Sequence, residues 1–324
     1  MPSIHLRPPW DDPRIAPTPE HVFLNRRDWM RLAGCGTAAL LFGCEKRSSA
    51  GPVLPQIADK PPPDDVRALY PAKRSAKYKV QRALTAEKVA ARYNNFYEFT
   101  TDKERVADLV GSFVIRPWEV EIGGLVKKPI RIDVDDLVRK MGLEERVYRF
   151  RCVEAWAMTV PWTGFAMKKL IDHVEPLGSA KFVRFVSFHR PDQAPGQKSG
   201  PYEWPYYEAL RMDEATNELA MFVTGIYGKP LPKQHGAPLR AIVPWKYGYK
   251  SPKSIVKIEF VEKQPRTFWN DLQPREYSFL SNVNPKVPHP RWSQATERLI
   301  PTGNRVPTRL HNGYADLVSH LYST

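Results

Sequence analysis

Apolar and polar side chains alternate most clearly between Ser254 and Glu262. Val256, Ile258 and Phe260 fall on one side and Lys257 and Glu259 on the other, the pattern of a strand half-buried in a sheet. A second such strand is expected from Trp118 to Ile122, closed by the turn pair Gly123-Gly124. Lys181 to Phe188 and Leu219 to Thr224 are apolar on both faces, as strands covered on two sides would be. Short helices are expected at Asp133 to Met141 and at Phe165 to Val174. Another is expected to start at Thr85, whose hydroxyl can cap the free amides, and to run to Tyr93. No repeat of fixed period occurs. With 32 prolines breaking the chain into short pieces, these elements predict an irregular, β-rich α+β fold.

The first fifty residues follow another pattern. Asn25-Arg26-Arg27-Asp28-Trp29-Met30-Arg31 precedes the apolar run Leu32 to Gly43, and the pair of arginines before that run reads as a twin-arginine export signal. The run is well short of the roughly 20 residues a membrane-spanning helix needs. Leu41-Phe-Gly-Cys44 also resembles a lipobox, which would make Cys44 a lipid anchor; a plain cut near Ser48-Ser-Ala50 is the alternative. Gly34-Cys-Gly-Thr-Ala-Ala39 is a nominal dinucleotide fingerprint, but no buried strand precedes it and it lies in the leader. The chain thus divides into a leader over residues 1–50, a proline-rich tether over residues 51–80, and one large domain over residues 81–324.

Charge narrows the setting. The formal net charge is +14, and seven Lys/Arg against five Asp/Glu up to Arg47 leave +12 on the rest. In an exported protein this implies attraction to anionic headgroups, an acidic partner or an anionic cofactor rather than to nucleic acid.

Cys152 is the one cysteine of the three that the leader does not contain. It can close no internal disulfide, and a free thiol outside the cytoplasm is open to oxidation unless something occupies it. The readings are a metal ligand, a nucleophile served by one of His173, His189, His235, His289, His311 or His320, and a buried structural cysteine. Zinc-protease, P-loop and esterase-elbow motifs are absent, as are haem-attachment and iron–sulfur cysteine patterns.

Five segments in order carry a resemblance. They are Tyr93-Asn-Asn-Phe-Tyr-Glu98, Leu143 to Trp156, Gly236-Ala-Pro-Leu-Arg240, Val243-Pro-Trp-Lys-Tyr-Gly-Tyr-Lys250 and His289-Pro-Arg-Trp-Ser-Gln-Ala-Thr-Glu-Arg298. Together they resemble the periplasmic protein-methionine-sulfoxide reductase catalytic subunits, molybdenum enzymes of the sulfite-oxidase fold. The resemblance implies Cys152 as thiolate ligand of molybdenum, with Glu154 beside the metal. It implies molybdopterin contacts at Asn94, Tyr97, Glu98, Ser187, His235, Arg240, Ser251, Pro252 and Lys253. A soft thiolate suits this metal, and guanidinium and ammonium groups suit the terminal phosphate of the pterin. The implied activity is reduction of methionine sulfoxide in oxidised periplasmic proteins by oxygen-atom transfer to molybdenum. Electrons would come from a haem-containing, quinol-linked subunit at the inner membrane. A sulfite oxidase or a reductase of small S- or N-oxides on the same scaffold is the alternative, and a binding module that has lost catalysis is the other.

Overall fold

The computed structural model describes residues 60–322 except 199 and 301. The expected leader, with its paired arginines, Cys35 and Cys44, and the first part of the tether lie outside the described residues. Among the described residues no helix is long and apolar enough to cross a membrane.

The strands are β1 (Glu119–Gly124), β2 (Ile130–Asp133), β3 (Glu144–Arg151), β4 (Trp156–Ala166), β5 (Phe182–Ser187), β6 (Tyr207–Arg211), β7 (Met221–Ile226), β8 (Lys229–Pro230), β9 (Arg240–Ile242), β10 (Ile255–Val261), β11 (Thr296–Leu299) and β12 (Arg305–Pro307). One sheet runs β2-β1-β10-β5-β6. The other runs β12-β11-β4-β7-β8, with β3 also on β4 and β9 also on β7. β1 lies parallel to β10, which is expected where neighbouring strands are far apart in sequence and joined by crossovers.

Strand β10 forms where alternation predicts it, with one departure. Ile255, Ile258 and Phe260 are buried, but Val256 is only partly so. A register shift between Ile255 and Lys257 against β5 inserts a residue and turns the following side chain off the core face. Strand β7 is buried at every position, as its apolar run implies. Strand β5 is not. Val183, Phe185 and Ser187 are buried, while Phe182, Arg184 and Val186 remain partly open, because that face carries an Arg184–Glu259 pair at 2.7 Å in place of a covering layer.

Four helices bear on the argument: α1 (Asp64–Arg67), α2 (Glu87–Arg92), α3 (Val134–Met141) and α4 (Met167–Val174). Asp133 caps α3 by accepting from the Asp135 amide at 2.8 Å. Thr85 does not cap α2. Its hydroxyl accepts from the Thr159 amide at 3.1 Å and donates to the Ile300 carbonyl at 3.4 Å, tying the helix start to β4. Helix α4 begins at Met167 because Phe165 and Ala166 are still paired with β7.

The segment expected as tether is held on the domain from Asp64 onward. Val66 is buried, Tyr70 Oη lies 2.7 Å from Thr224 Oγ1, and the Ser75 amide donates to the Glu145 carbonyl at 2.7 Å. A few apolar anchors are enough to dock a chain whose many prolines suggest full extension.

The core feature that positions the site is a cluster of rings. Phe96 and Phe99 pack against each other at 4.8 Å between centroids. Both meet Phe188, which lies 4.3 Å from Phe113. The segment from Tyr93 to Phe99 is therefore pinned by its two phenylalanines, which aims Asn95 and Tyr97 the other way. Gly196 presses on its outer side, and a Cβ there would collide with the Tyr97 carbonyl oxygen.

Candidate active site around Cys152

Strand β3 ends at Arg151, β4 begins at Trp156, and the four residues between them make a tight turn. The Cys152 amide donates to the Trp156 carbonyl at 2.9 Å, the Ala155 amide donates to the Cys152 carbonyl at 3.1 Å, and Ala155 takes a positive φ of 64°. The turn is also held from outside. Trp292 Nε1 and Gln294 Nε2 both donate to the Val153 carbonyl, at 2.8 and 2.7 Å, and the Arg298 amide donates to the Ala155 carbonyl at 2.8 Å. Fully buried Arg151 donates to the Cys152 carbonyl and, at 2.7 Å, to Gln294 Oε1.

The thiol faces a carboxylate in a set of donors. Asn95 Nδ2 lies 3.3 Å from Cys152 Sγ and 2.9 Å from Glu154 Oε2. Trp156 Nε1 donates to the same oxygen at 3.1 Å, and Lys103 Nζ is 3.2 Å from Oε1. Burial by itself would raise the pKa of Glu154. Lys103, with the hydrogen bonds from Asn95 and Trp156, overrides it and holds the carboxyl below its ordinary range. Burial, then the field of Glu154, pushes the Cys152 thiol far up. A thiol so placed is no free nucleophile; only a cation at sulfur would deprotonate it. Among the described residues no group of three or more His, Cys, Asp or Glu could hold a metal, so a metal on Cys152 needs its other ligands from a bound group.

The cavity in front of the thiol encloses about 1040 Å³ of empty space, its open mouth included. Its wall brings together Asn94, Tyr97, Glu98, Cys152, Glu154, His235, Arg240, Ser251, Pro252 and Lys253, from segments far apart in sequence. Ser187 is not on that wall. It is buried on β5, where its hydroxyl donates to the Lys253 carbonyl at 2.7 Å, so it fixes a wall residue from behind. Asn94 is on the wall, yet its Nδ2 is spent on the Ala90 and Ala91 carbonyls at the end of α2.

The same wall carries cations without an acid. Arg240 is buried and donates to three carbonyls, of His235 at 2.8 Å, Ser251 at 3.2 Å and Ala241 at 3.3 Å, with its guanidinium 4.9 Å from the Trp162 ring. Burial lowers its pKa to about 9. Lys253 Nζ donates to the Asn95 and Gln234 carbonyls and lies 4.4 Å from the Phe96 ring. Its pKa is held well below the ordinary lysine value by burial and by Arg240. Neither pairs with a carboxylate. Glu98, the one acid whose field reaches Lys253, is itself pushed up to about 7 by burial. His235 is kept neutral by burial and by the two cations, so its ring offers one donor and one acceptor. Buried cations that no acid offsets call for an anion. The donor set thus fits a group that carries both a soft metal and a phosphate.

Sequence reasoning missed Asn95, Lys103, Trp292 and Gln294 as site residues. Asn95, Trp292 and Gln294 stand inside the quoted motifs, so their segments were marked although their contacts were not. Lys103 carries no local signal.

The chain matches the family model described as oxidoreductase molybdopterin binding domain over residues 109–269. It is 48% identical to the protein-methionine-sulfoxide reductase catalytic subunit MsrP of Burkholderia mallei over 96% of this chain and 93% of that one. It is 44% identical to the protein of the same name in Xanthomonas axonopodis pv. citri, over 94% and 93%. Among solved structures, the sulfane dehydrogenase SoxCD of Paracoccus pantotrophus aligns with 59% of this chain and 44% of that one, at TM-score 0.41 and 16% identity. With these identities spanning nearly the whole sequence, and with a cavity that suits a molybdopterin, the chain belongs to the MsrP family of molybdopterin-dependent oxidoreductases.

Proposed function

We propose that this protein is exported by the twin-arginine route to the periplasm and there reduces methionine sulfoxide residues of oxidised proteins. Electrons arrive from a haem-containing, quinol-linked partner at the inner membrane, where the basic chain and a lipid at Cys44 keep the enzyme. The observation that carries the activity is one cavity whose wall holds both a buried thiol and acid-free cations. The relatives' names supply the reaction.

Cys152 would hold the metal through its thiolate, Arg240 and Lys253 the phosphate, and Tyr97, Glu98 and His235 the edges of the pterin. When bound, the cofactor supplies two-electron oxygen-atom transfer. The rest falls to the chain. Reducing a sulfoxide to a thioether and water consumes two electrons and two protons, and Glu154 is the group placed to pass protons. Lys103 and Asn95 hold it ionised beside the sulfur, and it remains partly open to the cavity. Phe150, Trp156, Trp162 and Trp269 line the cavity with rings, which limits water around the reacting atoms.

Cys152→Ser tests the reading, since serine is a near-isosteric but harder ligand. A protein rich in methionine sulfoxide is supplied with a reduced low-potential dye, and loss of oxygen is followed by mass. The variant is expected to lose at least a hundredfold in rate with an unchanged circular-dichroism spectrum. Near-native turnover of the variant sinks thiolate ligation; brisk sulfite oxidation by the wild type with the protein sulfoxide untouched favours the sulfite oxidase alternative. Arg26→Lys with Arg27→Lys should leave the protein in the cytoplasm, and labelled fatty acid at Cys44 reports the anchor.

A further inference from the structure

Behind the Cys152 turn, on the side away from the cavity, lies a second group of cations short of acid. Glu297 on β11 is fully buried and is shared by three guanidinium groups. Arg82 Nη2 lies 2.5 Å and Arg149 Nη2 3.2 Å from its Oε1, and Arg151 Nε lies 3.2 Å from its Oε2. Among the described residues none of the three arginines has another acid in ion-pair reach. Their side chains are 15%, 8% and 0% exposed, so a net charge of +2 sits largely out of water.

Arg151 directs its terminal nitrogens to protein acceptors at Cys152 and Gln294. Each of the three arginines still leaves a nitrogen over. Arg82 Nη1, Arg149 Nε and Arg151 Nε are buried without a hydrogen bond, as is Glu297 Oε2, which meets Arg151 Nε only as an ion pair at 3.2 Å. A fourth arginine stands at the rim. Arg309 is exposed, and its Cδ lies 3.4 Å, and the Cδ and Nε of Arg149 3.6 and 3.7 Å, from where a Cβ on Gly313 would be, so the two side chains converge on the space over Gly313. Burial holds Arg149 below the ordinary arginine range, and the fields of Arg82 and Arg309 lower it further against that of Glu297.

The geometry points to a binding site for a small oxyanion of the phosphate or sulfate class, held by Arg82, Arg149 and Arg309. None of these residues lines the cofactor cavity. Guanidinium N–H pairs suit tetrahedral oxyanions, and a second negative group here would complete the charge balance that Glu297 begins. The occupied site would also bear on the metal ligand, because Glu297 joins it to Arg151 and so to the Cys152 carbonyl. The oxyanion is either a free ion or the headgroup of an anionic phospholipid.

The test uses the cofactor-loaded protein, whose Arg240 and Lys253 are already engaged. Thermal unfolding is followed while phosphate, sulfate or chloride is titrated at constant ionic strength. Phosphate and sulfate are expected to raise the midpoint with saturation, and chloride to leave it unchanged. Arg149→Gln also releases Glu297 and can unfold the chain, so Arg309→Gln, a surface change, is the deciding variant, with Arg82→Gln beside it. Each should weaken the apparent affinity for phosphate at least tenfold. A response that does not saturate, or that is the same in both variants as in the wild type, overturns the site. Co-sedimentation with phosphatidylglycerol vesicles, against phosphatidylcholine vesicles as control, separates the sources. Sedimentation that free phosphate reverses and Arg309→Gln abolishes assigns a headgroup; indifference to vesicles alongside a saturable phosphate response assigns the free ion.

Discussion

Lys246 and Lys250 stand a few residues before Lys253 in the same stretch of chain, yet the three are held in opposite ways. Lys246 Nζ meets Glu214 Oε1 at 2.5 Å, the Leu280 carbonyl at 2.7 Å and Asn282 Oδ1 at 2.8 Å. Lys250 Nζ meets Glu208 Oε1 at 2.5 Å and the Ala209 carbonyl at 2.7 Å. Each cation is neutralised by a carboxylate of the chain itself. Lys253, and Arg240 beside it, have only carbonyls and ring faces. A carbonyl dipole satisfies an N–H but does not neutralise a charge, so these two cations are finished only by a ligand. Cations of the first kind hold the fold and cations of the second kind mark a site.

Four measurements can break or sharpen that contrast. The largest effect is expected from Lys250→Met, which strands Glu208 in the core: about 3–5 kcal/mol of stability should be lost in urea unfolding, whether or not the cofactor is bound. Adding Glu208→Leu should recover most of it.

Next comes pH. Burial pushes Glu98 up to about 7 from the ordinary glutamate value of 4.5. The folded apoprotein thus keeps a proton that the unfolded chain releases near pH 4.5. Its stability should fall as pH rises between those two values, by roughly 3 kcal/mol in all. Glu98→Gln should flatten that slope. A slope that survives the change would mean that Glu98 is ionised throughout and serves as the acid partner of Lys253, which would end the contrast.

Third, Arg240→Met should cost the apoprotein less than Lys250→Met does, since the donors it withdraws from three carbonyls are set against removal of a cation nothing offsets. It should weaken cofactor retention by about 1.5–3 kcal/mol, read as molybdenum and pterin per chain. The smallest change, about 1 kcal/mol, is expected for Trp292→Phe, which takes one of two donors from the Val153 carbonyl and touches neither set of cations.

Periodicity carried the regular parts of the fold and little else. The alternation of β10 and the all-apolar run of β7 were readable because burial on one face or two writes directly into side-chain type. The bulge at Ile255 and the half-open face of β5 depend on what lies beside each strand, which no local window contains. At the site the lone Cys152 and the apolar surroundings of Arg240 were legible as chemistry out of place. The partners of Glu154 were not: Asn95 reaches it across 59 residues, and an asparagine next to another asparagine says nothing about which one faces inward. Ser187 is expected as a contact, and its hydroxyl donates to the Lys253 carbonyl, a link across 66 residues that no local window contains.

The wall of the cavity has a consequence in time. Its residues run from Ala90 to Tyr277, and the turn that carries the thiol is braced by Trp292, Gln294 and Arg298. A ribosome making this chain must pass nine-tenths of its length before the last brace exists. The pocket is therefore a late product of synthesis, and no early fragment can capture the cofactor and wait for the remainder. Loading has to follow synthesis through Arg298, and whatever handles the loaded protein afterwards meets it already folded.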